Sequence, residues 1–155
     1  RNIVSIFQMN GREQVQSCAA EAQGITVKEK SYGYEVILPH LMPKRNHRNH
    51  TVFLLEPLTY ALKEFTAAHP ICRLEYALIW FIYEYTEDTP IHCIRDYDNI
   101  ETKEVLDIIN SFFLLDDGGA FCELHYSTRR GNRNGTRVII SSDIGLVSCQ
   151  KINGN

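Results

Sequence analysis

Apolar and polar positions recur with recognisable periods along most of the chain, and those periods predict its elements. Residues 25–30 and 34–38 carry β-branched and aromatic side chains on either side of Ser31-Tyr32-Gly33, which predicts a hairpin leading into Pro39. Pro57 suits the first turn of a helix, and Leu58, Ala61, Leu62 and Phe65 repeat at helical spacing until His69-Pro70 stops it. Residues 74–84 are dense in Leu, Ile, Trp, Phe and Tyr on both parities, the pattern of a central strand covered on both faces. Beyond the turn at Glu87-Asp88-Thr89-Pro90 the period changes. Ile100, Val105, Ile108, Ile109 and Phe112 leave one apolar stripe, which predicts a helix with Asp98 or Asn99 as its N-cap. Asp116-Asp117-Gly118-Gly119 reads as a tight turn, followed by strands over 120–126 and 136–141 joined by a basic loop. Ahead of these elements, residues 12–23 form a polar, alanine-containing stretch that predicts a helix broken at Gly24.

This succession predicts an α+β fold, a single mixed α/β domain whose central sheet carries two main helices. It divides the chain into an N-terminal segment over 1–32 (a helix, then the first strand), a domain over 33–143 and a tail over 144–155. A length of 155 residues fits one domain, and 44% apolar with 23% charged residues is an ordinary globular balance. No apolar run reaches the roughly 18 to 20 residues that cross a bilayer, so no membrane partner is expected. No charged-then-apolar leader is visible, and a cytoplasmic location is expected. Five cysteines, Cys18, Cys72, Cys93, Cys122 and Cys149, show neither even pairing nor Cys-x-x-Cys spacing, which suggests buried reduced thiols. The Asn-x-Thr triplets at Asn49 and Asn134 are most simply chance.

Charge changes the picture because it is uneven. The net charge is −3, yet residues 40–50 hold Lys44, Arg45 and Arg48 with three histidines and no acid. Residues 127–137 hold Arg129, Arg130, Arg133 and Arg137, again with no acid. Each cluster read singly is a solvated loop. Together, two loops of one sign on an acidic body would make a phosphate-binding surface.

The most concentrated chemistry is Arg95-Asp96-Tyr97-Asp98-Asn99, followed by Lys103 and Asp107 in the predicted helix and by Asp116-Asp117 beyond it. In an extended chain the i, i+2 spacing would direct Asp96 and Asp98 to one face, about 6.6 Å apart at Cα. Two carboxylates at about 4 Å repel by roughly 4 kcal/mol at an effective dielectric of 20. A divalent metal would relieve that repulsion, as would Arg95 and Lys103. Oxygen ligands favour Mg²⁺ or Mn²⁺, which retain waters able to act as nucleophiles. The alternative is that these aspartates only cap helices and build turns.

The ordered set, Arg-Asp-x-Asp-Asn, then Lys with an Asp four residues on, then Asp-Asp before a strand, resembles the RusA-type Holliday junction resolvases over roughly residues 33–141. That resemblance implies a Mg²⁺-dependent (or Mn²⁺-dependent) structure-selective DNA endonuclease, acting as a homodimer on branched DNA. Asp96, Asp98 and Asp117, with Asp116 beside them, would hold the metal, and Lys103 would lie close to the scissile phosphate. Lys44, Arg45, Arg48, Arg129, Arg130 and Arg133 would contact DNA. The slightly acidic balance admits a second reading, a catalytically silent protein of the same fold from a mobile element that binds nucleic acid or inhibits a host protein.

Other groupings point to structure. His92 and Cys93 lack a third catalytic member, and Glu123 with His125 reads as a surface pair. Tyr76, Trp80, Tyr83 and Tyr85 read as core rather than as a base-stacking platform. Gly131-Asn132-Arg133-Asn134-Gly135 is a turn without the Lys-Ser/Thr of a phosphate loop.

Overall fold

Every residue of the strand Ala77–Thr86 except Thr86 is buried, so the apolar run predicted to be central is central. The computed structural model describes residues 24–44, 52–115 and 122–143. Five strands, β1 (Thr26–Lys30), β2 (Gly33–Leu38), β3 (Ala77–Thr86), β4 (Cys122–Gly131) and β5 (Gly135–Ser141), form one sheet in the order β1-β2-β5-β3-β4. Helices α1 (Val52–Ala68) and α2 (Lys103–Phe113) complete the predicted α+β architecture. Among the described residues no helix is long and apolar enough to cross a membrane. The predicted helix over 12–23, Arg45 and Arg48, Asp116 and Asp117 with their glycine turn, Cys18, Cys149, Asn49 and the tail after Asp143 lie outside the described residues.

The β1–β2 hairpin forms as predicted, with Lys30 opposite Gly33 across the Ser31-Tyr32 turn. Gly33 has φ +142°, a region closed to most L side chains, and an added Cβ would lie 2.1 Å from the Ile140 carbonyl oxygen. Only glycine lets β2 approach β5 this closely.

Alternation along the strands separates two faces. Val36, Leu38, Ile79, Phe81, Tyr83, Val138 and Ile140 share one cluster with Leu58 and Leu62 of α1 and Val105, Ile109 and Phe113 of α2. The i, i+4 spacing of the helical members is what turns them to the sheet. Leu78, Trp80, Ile82 and Ile139 form a second cluster on the opposite face. There the Trp80 indole donates to Ser127 Oγ at 2.8 Å, so the polar tip of a buried ring is satisfied.

Three local expectations are corrected. Helix α1 begins at Val52, so Pro57 lies inside it rather than in its first turn. Leu54 and Leu55 pack against the core, and that burial offsets the amide hydrogen bond that proline cannot make. Helix α2 is N-capped by Thr102, not by Asp98 or Asn99. The Thr102 hydroxyl is engaged with the Tyr126 hydroxyl at 3.2 Å, and Glu101 Oε1 takes the Lys103 amide at 3.0 Å in its place. Cys72 and Cys93 are exposed and Cys122 is half-buried, so these thiols are not the buried set expected.

The largest departure is topological. The two strands after α2 are not hairpin partners: β4 runs parallel to β3, and β5 pairs antiparallel with β3 and β2. Much of the basic stretch expected as a loop, through Arg129 and Arg130 to Gly131, is strand.

Candidate functional site

With β3 inserted between β4 and β5, the short link from Gly131 to Gly135 must cross two strand spacings, about 9.6 Å, over the end of β3. Asn134 anchors the crossing by accepting the Thr86 amide at 3.0 Å on Oδ1. The crossing carries Arg133 over the strand ends, above side chains that alternation has already turned to the same face. Glu84, Arg129, Arg130, Gly131, Asn132, Arg133 and Arg137 line an open groove of about 560 Å³.

A line of alternating charge crosses the sheet, and its Arg137, Glu84 and Arg129 end forms the floor of the groove. Lys30 Nζ lies 3.7 Å from Glu35 Oε2, and Glu35 Oε1 lies 2.6 Å from Arg137 Nη1. Arg137 Nε donates to Glu84 Oε1 at 3.1 Å, and Arg129 Nη2 donates to the same oxygen at 2.9 Å. One residue comes from each of the five strands. Glu35 and Glu84 are buried, so each carboxylate needs a cation beside it. Tyr32 borders this line. Burial raises its phenol pKa, the Glu35 carboxylate adds to the rise, and Arg137 opposes it.

The arginines differ in what holds them. Arg130 Nη1 donates to the Thr86 and Thr89 carbonyls at 2.9 and 2.6 Å and so fastens the turn after β3. Arg129 and Arg137 share the Glu84 carboxylate. Arg133 is exposed, lines the groove and makes no ion pair or hydrogen bond among the described residues. Four arginines line the groove with Glu84, and even with Glu35 set against Arg137 they leave a local excess of positive charge in a chain of net charge −3.

The carboxylate motif has a different setting. Asp96 and Asp98 are both exposed, and the stretch is a one-turn 3₁₀ helix over Tyr97–Asn99 rather than an extended strand. Tyr97 explains the turn. Its ring stacks on Tyr126 with centroids 5.7 Å apart, and its hydroxyl pairs with Thr128 Oγ1 at 3.0 Å. Arg95 turns away from the aspartates, Nη1 donating to the Met42 carbonyl at 2.5 Å while its amide donates to the Tyr85 hydroxyl at 3.2 Å. Lys103 Nζ bonds Asp107 Oδ2 at 2.8 Å on an exposed helix face. That bond is the chief cause of a raised lysine pKa, with Glu101 and Glu104 adding to it. Among the described residues no three His, Cys, Asp or Glu side chains gather as a metal-ligating group. Lys44 bridges to Ile100 beside the start of α2 and does not line the arginine groove. Glu123 and His125 form the predicted surface pair at 3.5 Å, and Trp80, Tyr83 and Tyr85 are core while Tyr76 is exposed.

A family model matches residues 1–144 and is described as a family of unknown function, DUF6100. The chain belongs to that family. No curated protein matches it. Two crystal structures of the periplasmic domain of Helicobacter pylori MotB are similar to it. The first has TM-score 0.43 at 14% identity, covering 84% of this chain and 87% of that one. The second has TM-score 0.41 at 14% identity, covering 83% and 99%. That family is not the RusA-type resolvases, which corrects the resemblance drawn from the aspartate motif. The junction endonuclease, its silent counterpart of the same fold, the branched-DNA partner and the homodimer inferred with them fall with it.

Glu84 and Arg137 are the site residues that the motif reading passes over. The signal for Glu84 is present in the sequence, since an acid within a strand apolar on both parities must be paired. The acid-free run from Arg129 to Arg137 supplies the partners.

Proposed function

We propose that this protein is a binding domain for a compact oxyanion, a phosphate or carboxylate group carried by a small ligand, received in the groove at the ends of β3, β4 and β5. The observation that carries the reading is Arg133, which lines a groove already rich in arginine and has no ion-pair partner among the described residues. Guanidinium forks match the geometry of carboxylate and phosphate, and charge-assisted bonds of this kind exceed neutral ones in strength. The floor supports the same role: Arg129 and Arg137 are fixed by the Glu84 carboxylate, so ligand binding does not have to order them.

The test is calorimetric titration of the full chain with inorganic phosphate and with citrate at low ionic strength. Saturable binding that weakens as salt is raised supports the reading. Arg133→Ala should lower affinity by about tenfold or more, the cost of a charge-assisted bond. Lys103→Ala removes an equal charge outside the groove and should leave affinity unchanged. Equal losses in the two variants, or no binding of either anion, would defeat the proposal.

A further inference from the structure

Glu84 stands in the floor of a groove that otherwise attracts anions, and its two oxygens are used unequally. Oε1 takes both guanidinium bonds, from Arg129 and Arg137, whereas no described residue donates to Oε2. A carboxylate has room for about four hydrogen bonds, so Oε2 is an acceptor with capacity left. Glu84 is only 6% exposed, and it lines the groove. Gly131 keeps the approach open. It lines the same groove, and a Cβ built there would sit 3.1 Å from Oε2.

We infer that the groove selects an oxyanion bearing a neutral hydroxyl near its charged group, a polyol phosphate or a hydroxy acid, with the anion on the arginines and the hydroxyl donating to Glu84 Oε2. The inference rests on the anion-binding reading above. A bare oxyanion brings only acceptors, and those facing Oε2 would meet like charge. An ammonium donor would satisfy Oε2 but would enter a groove lined by four arginines, whose charge exceeds that of Glu84 and the neighbouring Glu35 together. A hydroxyl supplies the donor without adding to that repulsion. Glu84 is then a specificity-determining residue, and Gly131 is the position that exposes it.

The experiment titrates the full chain with three phosphate monoesters: glycerol phosphate, ethyl phosphate, which lacks the free hydroxyls, and phosphoethanolamine, which carries an ammonium. Glycerol phosphate should bind about tenfold more tightly than ethyl phosphate, the worth of one hydrogen bond to a charged acceptor. Phosphoethanolamine should bind more weakly than glycerol phosphate. Gly131→Ala sets a methyl against Oε2, so it should reduce the preference for glycerol phosphate over ethyl phosphate to less than about threefold, whatever it does to the affinity for either alone. A circular dichroism spectrum and a urea midpoint close to those of the unmodified protein show that the variant is folded. Equal binding of glycerol and ethyl phosphates by the unmodified protein overturns this inference and leaves the anion reading standing. A preference that survives Gly131→Ala overturns the assignment to Oε2, and tighter binding of phosphoethanolamine overturns the choice of hydroxyl. Failure of all three ligands to bind overturns the anion reading and this inference together.

Discussion

Arg137 Nε donates to Glu84 Oε1 at 3.1 Å, across the pairing of β5 with β3, and the bond joins two halves of the sheet that are remote in sequence. The same guanidinium reaches Glu35 on β2, so one cation stands between two buried carboxylates. Its value to the fold lies less in attraction than in what its loss would leave behind. Removing one member of a buried ion pair strands an uncompensated charge, at a cost of about 3–5 kcal/mol.

Arg137→Met keeps most of the volume and removes the charge, and should therefore lower unfolding free energy by about 3–5 kcal/mol in urea titration. The triple variant Glu35→Gln, Glu84→Gln, Arg137→Met should recover part of that loss, because no buried carboxylate is then left alone. A single variant as stable as the unmodified protein would show that the line of charge does not support the sheet.

Gly33→Ala tests the closest backbone approach in the sheet. A methyl at 2.1 Å from the Ile140 carbonyl oxygen cannot be accommodated without moving β2 or β5, and φ +142° is unfavourable for alanine in any surroundings. The expected loss is roughly 2–4 kcal/mol, read from the urea midpoint. Gly131→Ala is the control, since its nearest contact is the end of a side chain at 3.1 Å. Similar losses at the two positions would remove the argument from backbone approach.

How far the sequence reaches can be judged from these same residues. The β1–β2 hairpin and the centrality of β3 were legible because both are local patterns, a turn between β-rich runs and a segment apolar on both parities. The insertion of β3 between β4 and β5 was not, because periodicity tells which face a residue takes and says nothing about which strand lies beside it. Taking residues 127–131 as loop follows from that omission, since β3 provides the pairing that makes them strand. The aspartate motif misled for a related reason. Its spacing aligns two carboxylates only on an extended chain, whereas the contacts of Tyr97 with the Tyr83 and Tyr126 rings accompany a turn over Tyr97–Asn99. The arginine run was visible as a charge cluster, but Glu84, lying 45 residues before Arg129, joins it only through the parallel pairing of β3 with β4.

Tyr83 carries the last prediction. Its ring stacks near Tyr126 and Tyr97, with centroids 6.3 and 6.0 Å away, and its hydroxyl is buried without a hydrogen-bond partner among the described residues. Burial holds the phenol neutral and raises its pKa strongly, and the neighbouring Tyr126, Tyr85 and Tyr97 add to the rise. In the unfolded chain the same phenol ionises near pH 10, as an ordinary tyrosine does. Folding therefore retains a proton that unfolding releases, so this contribution to stability is complete below about pH 10 and declines as pH rises above it. Tyr83→Phe abolishes the titration and removes an unsatisfied buried hydroxyl. At neutral pH it should leave stability unchanged or raise it by about 1 kcal/mol, and between about pH 9 and 11 its urea midpoint should fall less steeply than that of the unmodified protein. Tyr32 and Tyr34, whose pKa values are also raised by burial, remain in the variant, so the alkaline decline is reduced rather than eliminated. Parallel curves for the two proteins across that range would show that Tyr83 does not titrate differently in the folded and unfolded states.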